Sequence, residues 1–152
     1  MKKTIVISNE EKEIELTLCA TLQAMQIYRT EFGSDLVKDL NAVHAVLHPD
    51  PFADAIKKAG INPGSLTPEE MRDKILENLD YSMIQDDDPI PDEETQIKTL
   101  QIIWAMAKAA DPDLTAFTEW VGGLDLQPIR SLAECVQELW QKANKTSVKL
   151  KN

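Results

Sequence analysis

The chain contains few glycines and cysteines, two residue types on which several kinds of functional site depend. Only 5 of its 152 residues are glycine and only 2 are cysteine, Cys19 and Cys135. Two distant cysteines do not make the disulfide framework of a small secreted protein, and both lie in apolar-periodic segments, where a free cysteine behaves as a small hydrophobic residue. So few glycines leave little bare backbone for a phosphate-binding loop, and neither a P-loop nor a dinucleotide-binding fingerprint occurs in the sequence.

An excess of positive charge and a long apolar run are also missing. The chain has 16 Lys and Arg against 26 Asp and Glu, a net charge of −10. Nucleic-acid binding needs a cluster of basic residues to neutralise phosphates, so the charge predicts no nucleic-acid partner. The apolar run near Met1 is too short for a signal peptide or a membrane helix, and the polar run Asn9–Glu13 follows it at once. We therefore expect no membrane association and a cytoplasmic location.

Residues that could carry catalysis are few. Ser34 directly follows Gly33 and lacks the Gly-x-Ser-x-Gly surroundings that expose the nucleophile of a hydrolase. His44 and His48 have the spacing of two ligands of one metal, and Asp50 follows, but the glutamate of a metalloprotease motif is missing. His48 also falls in a last helical turn, where histidine commonly interacts with free carbonyls. The sequence predicts no enzyme, no metal and no cofactor; a metal-dependent enzyme built on these three residues is the least favoured alternative.

The sequence does contain a clear pattern of secondary structure. Residues 4–8 and 14–18 are alternating and β-branched, and a polar run separates them, which predicts a strand pair. Beyond them, apolar residues recur at spacings of three and four, with capping residues, glycines and prolines between the periodic segments. These patterns predict a mostly α protein with a small N-terminal β-hairpin followed by a helical bundle of about five to seven helices.

An acidic segment with two prolines divides the chain. Residues 86–94 carry six Asp and Glu, which predicts an exposed, extended linker. Residues 1–85 are then the hairpin with the first helices, and residues 95–145 are C-terminal helices packed on the same domain. Residues 146–152 form a basic tail that we expect to fray.

Three tryptophans lie in the second half of the chain, and tryptophan is enriched among the residues that dominate binding interfaces. Trp104 and Trp140 fall on apolar stripes, which favours a place in the core. Trp120 lies beside the break at Gly122 and fits either the core or the surface. Trp104, Trp120 and the neighbouring Phe117 are the predicted partner-binding residues.

Several short patterns occur in a recognisable order. They are Ile14–Leu18, then Tyr28–Gly33 leading into Ser34–Leu36, then Ile102–Lys108, and finally Leu114–Val121 with its Phe117 and Trp120. This order resembles the tail assembly chaperones of long-tailed bacteriophages and prophages of Gram-positive bacteria. The resemblance covers most of residues 4–125 and consists of apolar and turn residues.

The resemblance implies a non-enzymatic function. Members of that family bind the tape measure protein, a very long helical chain with exposed apolar faces, and keep it soluble while the tail tube assembles in the host cytoplasm. A face that binds apolar helices also invites self-association, so we expect a homo-oligomer as well. The alternative is a small acidic α-helical adaptor or regulatory protein of bacterial origin.

Overall fold

A two-stranded antiparallel sheet precedes seven helices in the computed structural model, which describes residues 1–10, 12–60, 64–81 and 90–145. This confirms the predicted mostly α protein with an N-terminal hairpin. None of the helices in these ranges is both long enough and apolar enough to cross a membrane. The elements are β1 Lys2–Asn9, β2 Lys12–Cys19, α1 Leu22–Phe32, α2 Leu36–Leu47, α3 Pro51–Ala59, α4 Pro68–Asn78, α5 Glu93–Ala110, α6 Phe117–Gly122 and α7 Ile129–Asn144.

The chain forms two compact units. Unit 1 combines Met1–Leu47 with Pro91–Asn152, so it contains the hairpin, α1, α2 and α5 to α7; unit 2 is His48–Ile90, with α3 and α4. Residues 86–89 of the predicted linker and the whole predicted tail, residues 146–152, lie outside the described residues. The last two residues of the acidic segment, Glu93 and Glu94, already belong to α5. The Asp92 carboxylate caps this helix by accepting a hydrogen bond from the Thr95 N–H at 2.8 Å.

The hairpin has one buried face and one exposed face. Ile5 pairs with Leu16 and Ile7 pairs with Ile14, and side chains on this face pack into the core of unit 1. Val6, between the two buried isoleucines, is 51% exposed, as the alternation of a half-buried strand requires. The inner face of the hairpin therefore fixes the register of the sheet.

Helix α1 ends at Gly33, as predicted. Gly33 has a φ of 68°, and its N–H donates to the carbonyl of Arg29 at 2.8 Å. The spacing of Leu18, Leu22, Met25, Tyr28 and Phe32 predicts one buried face for α1. Tyr28 is fully buried as predicted, and so is Ala24, whereas Leu22 is 76% exposed. Two residues turn an α-helix by about 200°, so the burial of Ala24 leaves Leu22 on the opposite side.

Helix α5 is the centre of unit 1. It packs against β2, α1, α2, α6 and α7. The sequence predicts one apolar side, but the helix is buried on all sides for two turns, as expected for a helix with neighbours all round. The buried run is Leu100, Ile102, Ile103, Trp104, Ala105, Met106 and Ala107.

Helices α2 and α7 bury the faces that their periodicity predicts. The buried positions of α2 are Leu36, Leu40, Val43 and Leu47, and those of α7 include Ile129, Leu132, Ala133, Val136 and Leu139. The two helices also meet through a polar contact, since the Arg130 guanidinium donates to the carbonyl of Leu47. That carbonyl lies at the end of α2, where no intrahelical donor is available.

In unit 2, α4 begins where the sequence predicts, directly after Thr67, and α3 begins at Pro51, one residue before the predicted start at Phe52. Asp50 caps α3 before Pro51, and the Thr67 hydroxyl accepts from the Glu70 N–H at 3.2 Å to cap α4. Ala55 is the one residue of α3 that is fully buried, and no residue of α4 is. Burial in the described part of unit 2 is therefore much shallower than in unit 1.

Candidate functional site

The three predicted partner-binding residues come together in an aromatic cluster. The ring centroid of Phe32 lies 5.1 Å from that of Tyr28, 5.7 Å from Trp104 and 5.2 Å from Phe117. Phe117 is in turn 6.1 Å from Trp104 and 6.2 Å from Trp120. These separations and the mostly tilted or edge-on ring angles are typical of packed aromatic pairs. The cluster joins α1, α5 and α6.

The cluster belongs to the core of unit 1. Trp104 is 3% exposed, Phe117 is 9% and Trp120 is 8%. The indole N–H of Trp104 donates to the carbonyl of Thr115 at 2.9 Å, so the polar atom of this side chain is also satisfied inside the protein. The partner-binding role of these residues stays a prediction, and of the three Trp104 also lines a surface groove.

This groove, the α1–α5 groove, has a volume of about 410 Å³. Its lining residues are Gln23, Gln26, Ile27, Thr30 and Glu31 of α1, Trp104 and Lys108 of α5, and Pro112 just beyond α5. Ile27 is half-buried and Trp104 is buried, so they form an apolar base, while the glutamines and Glu31 are exposed around it. The ammonium of Lys108 donates to the carbonyl of Leu114. The groove thus combines an apolar base with one acidic and one basic side chain.

A second groove, the α2–α7 groove, has a volume of about 310 Å³. It is lined by Met25, Val37, Leu40, Asn41, Gln137, Trp140, Gln141 and Asn144. The indole N–H of Trp140 lies 3.3 Å from the sulfur of Met106, which is a weak acceptor. The side-chain carbonyl oxygen of Gln137 is enclosed, and it has no hydrogen-bond partner in the described part of the chain. The sequence assigns Trp140 to the core; the structure places it half-buried at the edge of the core, beside this groove.

A buried polar pair joins α1 to α2. The Tyr28 hydroxyl donates to Oδ2 of Asp39 at 2.7 Å, and both residues are buried. Burial, then the hydrogen bond and the charge of Asp39, raise the pKa of Tyr28 well above its usual range. The hydroxyl is therefore held protonated. Its position inside the core gives this pair a structural role.

The alternative metal site is without support from the geometry. Oδ1 of Asp50 accepts from the N–H groups of Phe52 at 3.0 Å and Ala53 at 3.1 Å, which commits this carboxylate to capping α3. Over the residues that the structure describes, no three His, Cys, Asp or Glu side chains are grouped closely enough to hold a metal ion.

Comparison of the chain with protein-family models, with curated proteins and with solved structures finds no match. The functional inference therefore uses the chain's own surfaces. Of the two grooves, the α1–α5 groove has the larger volume and the predicted binding residue Trp104.

Proposed function

We propose that this chain is a tail assembly chaperone of a long-tailed bacteriophage or prophage, and that it acts without catalysis in the host cytoplasm. In this proposal the α1–α5 groove holds an amphipathic helix of the tape measure protein. The observation that carries the proposal is the apolar base of this groove, formed by Ile27 and Trp104. Two segments that carry the family resemblance, Tyr28–Gly33 and Ile102–Lys108, lie in the helices that border it.

The dimensions of the groove suit a helix. Gln23, Ile27 and Glu31 are four residues apart, so the groove follows α1 for about two turns, or about 12 Å. A helix bound in a groove inserts anchors at three- and four-residue spacing, about one turn apart. Two apolar anchors of a partner helix can therefore enter the groove, one on each side of Ile27.

The charges support the same function. Glu31 and Lys108 have opposite signs within one groove, so they favour one orientation of a partner helix that carries complementary charges. The net charge of −10 keeps copies bound along one long helix from aggregating with each other. The proposal also treats the helices of unit 1 as a bundle around α5, since α1, α2, α6 and α7 all pack on that helix.

The proposal is tested by co-expression with the long helical protein encoded next to this chain's gene. Wild-type protein should keep that partner soluble and form a complex that survives size-exclusion chromatography. Gln26→Arg puts a long charged side chain into the α1–α5 groove and should reduce the soluble partner severalfold. Gln141→Arg makes the same change in the α2–α7 groove, at a position that is also exposed, and should have no effect.

Two results would count against the proposal in different ways. If only Gln141→Arg reduces the amount of soluble partner, the chaperone function stands and the α2–α7 groove is the binding groove. If wild-type protein neither solubilises the helical partner nor forms a complex, the chaperone function is wrong. The alternative of a small acidic adaptor then takes its place.

A further inference from the structure

Strand β1 has one edge that is open for part of its length. Alternate residues of a strand direct their backbone N–H and C=O groups to the same edge. The Ser8 carbonyl accepts from the Asp125 N–H at 3.2 Å and from Nε2 of Gln127 at 2.7 Å, so Ser8 faces away from β2. By alternation, Lys2, Thr4 and Val6 face the same way.

The Ser8 end of this edge is already covered. Besides the contacts to its carbonyl, Ser8 donates its N–H to Oε1 of Gln127 at 3.1 Å. The Gln127 carboxamide thus pairs with Ser8 through one donor and one acceptor, as a neighbouring strand would. Asn9 continues this pairing with an antiparallel bridge to Leu124. The outer edge of β1 is therefore already paired at Ser8 and Asn9, and this pairing does not extend beyond Ser8 towards Val6.

The rest of the edge finds no backbone partner among the residues that the structure describes. In the described ranges, no backbone hydrogen bond reaches Lys2, Thr4 or Val6 from the outer side. The outer edge of β2 carries the charged residues Glu13 and Glu15, a common protection against unwanted strand pairing. The middle of the β1 edge has uncharged residues instead, Thr4 and Val6, and Val6 is 51% exposed. The two edges of the hairpin are thus protected unequally.

We propose that the open edge of β1 pairs with β1 of a second copy of this chain, antiparallel and centred on Thr4, to form a four-stranded sheet. Identical antiparallel strands are related by a two-fold axis, so one patch serves both copies. Centring on Thr4 pairs Lys2 with Val6 of the second copy and uses the whole free stretch. Any register centred on Val6 would bring Thr4 of one copy against the covered Ser8 of the other.

Charge complementarity supports the second copy as the occupant. Glu15 lies opposite Val6 within the hairpin, and both side chains are exposed on the outer face. Lys2 of the second copy would then lie on the other side of Val6, in the same row. Neighbouring strands are about 4.8 Å apart, so Glu15 and this lysine are about 10 Å apart at their Cα atoms, which their extended side chains can span. The symmetry gives two such ion pairs, and Val6 is covered between them.

The first test changes the backbone donors. Thr4→Pro removes an outward N–H from the β1 edge, and Thr17→Pro makes the same change on the β2 edge, at the position paired with Thr4. Sedimentation equilibrium of the wild-type protein should show a monomer–dimer equilibrium. Thr4→Pro should raise the dimer dissociation constant by at least about tenfold, and Thr17→Pro should leave it unchanged.

The second test changes the charges and depends less on the strand itself. Lys2→Glu and Glu15→Lys should each raise the dimer dissociation constant several-fold, and the double variant should return it to about the wild-type value. A monomeric wild-type protein, equal effects of the two proline variants, or a double variant as weak as the single ones would each overturn the proposal. Because the tape measure protein is absent from these measurements, their outcome is independent of the proposed chaperone function.

Discussion

At the scale of single residues, Phe32 contacts three other rings of the aromatic cluster. Its ring contacts those of Tyr28, Trp104 and Phe117, which come from three helices. Phe32 is only partly buried, yet each contact has the separation of a favourable aromatic pair. Its side chain therefore links α1 to α5 and α6.

We expect Phe32→Ala to lower the free energy of unfolding by about 2–4 kcal/mol, since it removes three ring contacts and leaves a space between helices. Phe52→Ala is the matched control, because Phe52 is 56% exposed on α3. It should cost less than about 1 kcal/mol. Urea unfolding followed by far-ultraviolet circular dichroism measures both variants, and equal losses would contradict the central position of Phe32.

The Tyr28–Asp39 pair predicts a stability change at alkaline pH. The pKa of Tyr28 in the folded protein lies far above its ordinary value of 10.0. Above about pH 10 the unfolded chain therefore releases this proton while the folded chain keeps it, so the contribution of Tyr28 to stability is complete below pH 10 and decreases as the pH rises. The loss approaches about 1.4 kcal/mol per pH unit.

Tyr28→Phe isolates this effect. At neutral pH the variant should be less stable by about 1–3 kcal/mol, because the buried carboxylate of Asp39 loses the donor that lies 2.7 Å away. Between pH 10 and pH 12 the difference between the two proteins should shrink. A difference that is constant over this range, in urea unfolding at each pH, would show that Tyr28 titrates equally in both states.

At the scale of secondary-structure elements, local signals in the sequence identify where elements begin and end. Gly33, Thr67 and Pro51 mark helix ends through backbone geometry and side-chain caps, which depend on neighbouring residues alone. The burial of Leu22 in α1 was predicted wrongly, because periodicity alone does not decide between Leu22 and Ala24. Packing on α5 decides between them, and packing is not a local property.

The C-cap of α1 gives a prediction with an internal control. Gly33 has a φ of 68° and open space where a Cβ would lie, so Gly33→Ala should cost about 1 kcal/mol through backbone strain alone. Gly122, at the end of α6, also has open space but no positive φ. Gly122→Ala should therefore be neutral or stabilise the protein by about 0.5 kcal/mol. Thermal unfolding of the two variants checks the difference in sign.

The grooves show what the sequence predicts of the candidate site and what it does not. The apolar character of Trp104 is visible from helical spacing, but the α1–α5 groove depends on which residues of α1 face α5. Gln23, Gln26 and Thr30 carry no pattern typical of a site. The α2–α7 groove was missed for the same reason, since Trp140 fits an apolar stripe whether or not a groove adjoins it.

At the scale of the whole molecule, the two units differ in how much they bury. The core of unit 1 contains residues from the hairpin and from five helices, whereas Ala55 is the one fully buried residue in the described helices of unit 2. Large apolar side chains of unit 2 stay exposed, among them Phe52, Ile56 and Leu76. Local unfolding is easiest where few apolar contacts oppose it.

We therefore expect unit 2 to open first. Limited digestion with trypsin should cleave after Lys57, Lys58, Arg72 or Lys74 before it cleaves after Lys98 or Lys108 in α5. Mass spectrometry of early fragments identifies the sites. Early fragments that begin or end inside α5 would show that unit 1 is the less stable unit.

The order of the units along the chain also affects synthesis. Unit 1 combines the first part of the chain with the last, and unit 2 lies between them in sequence. On a ribosome, the hairpin, α1 and α2 emerge before α5, the helix on which they pack. At about 5–20 residues per second, the intervening segment delays α5 by several seconds. During that interval Ile5, Ile7 and Tyr28 lack the α5 part of their core, so we expect the nascent chain to be protected by the ribosome surface or by molecular chaperones until α5 is made.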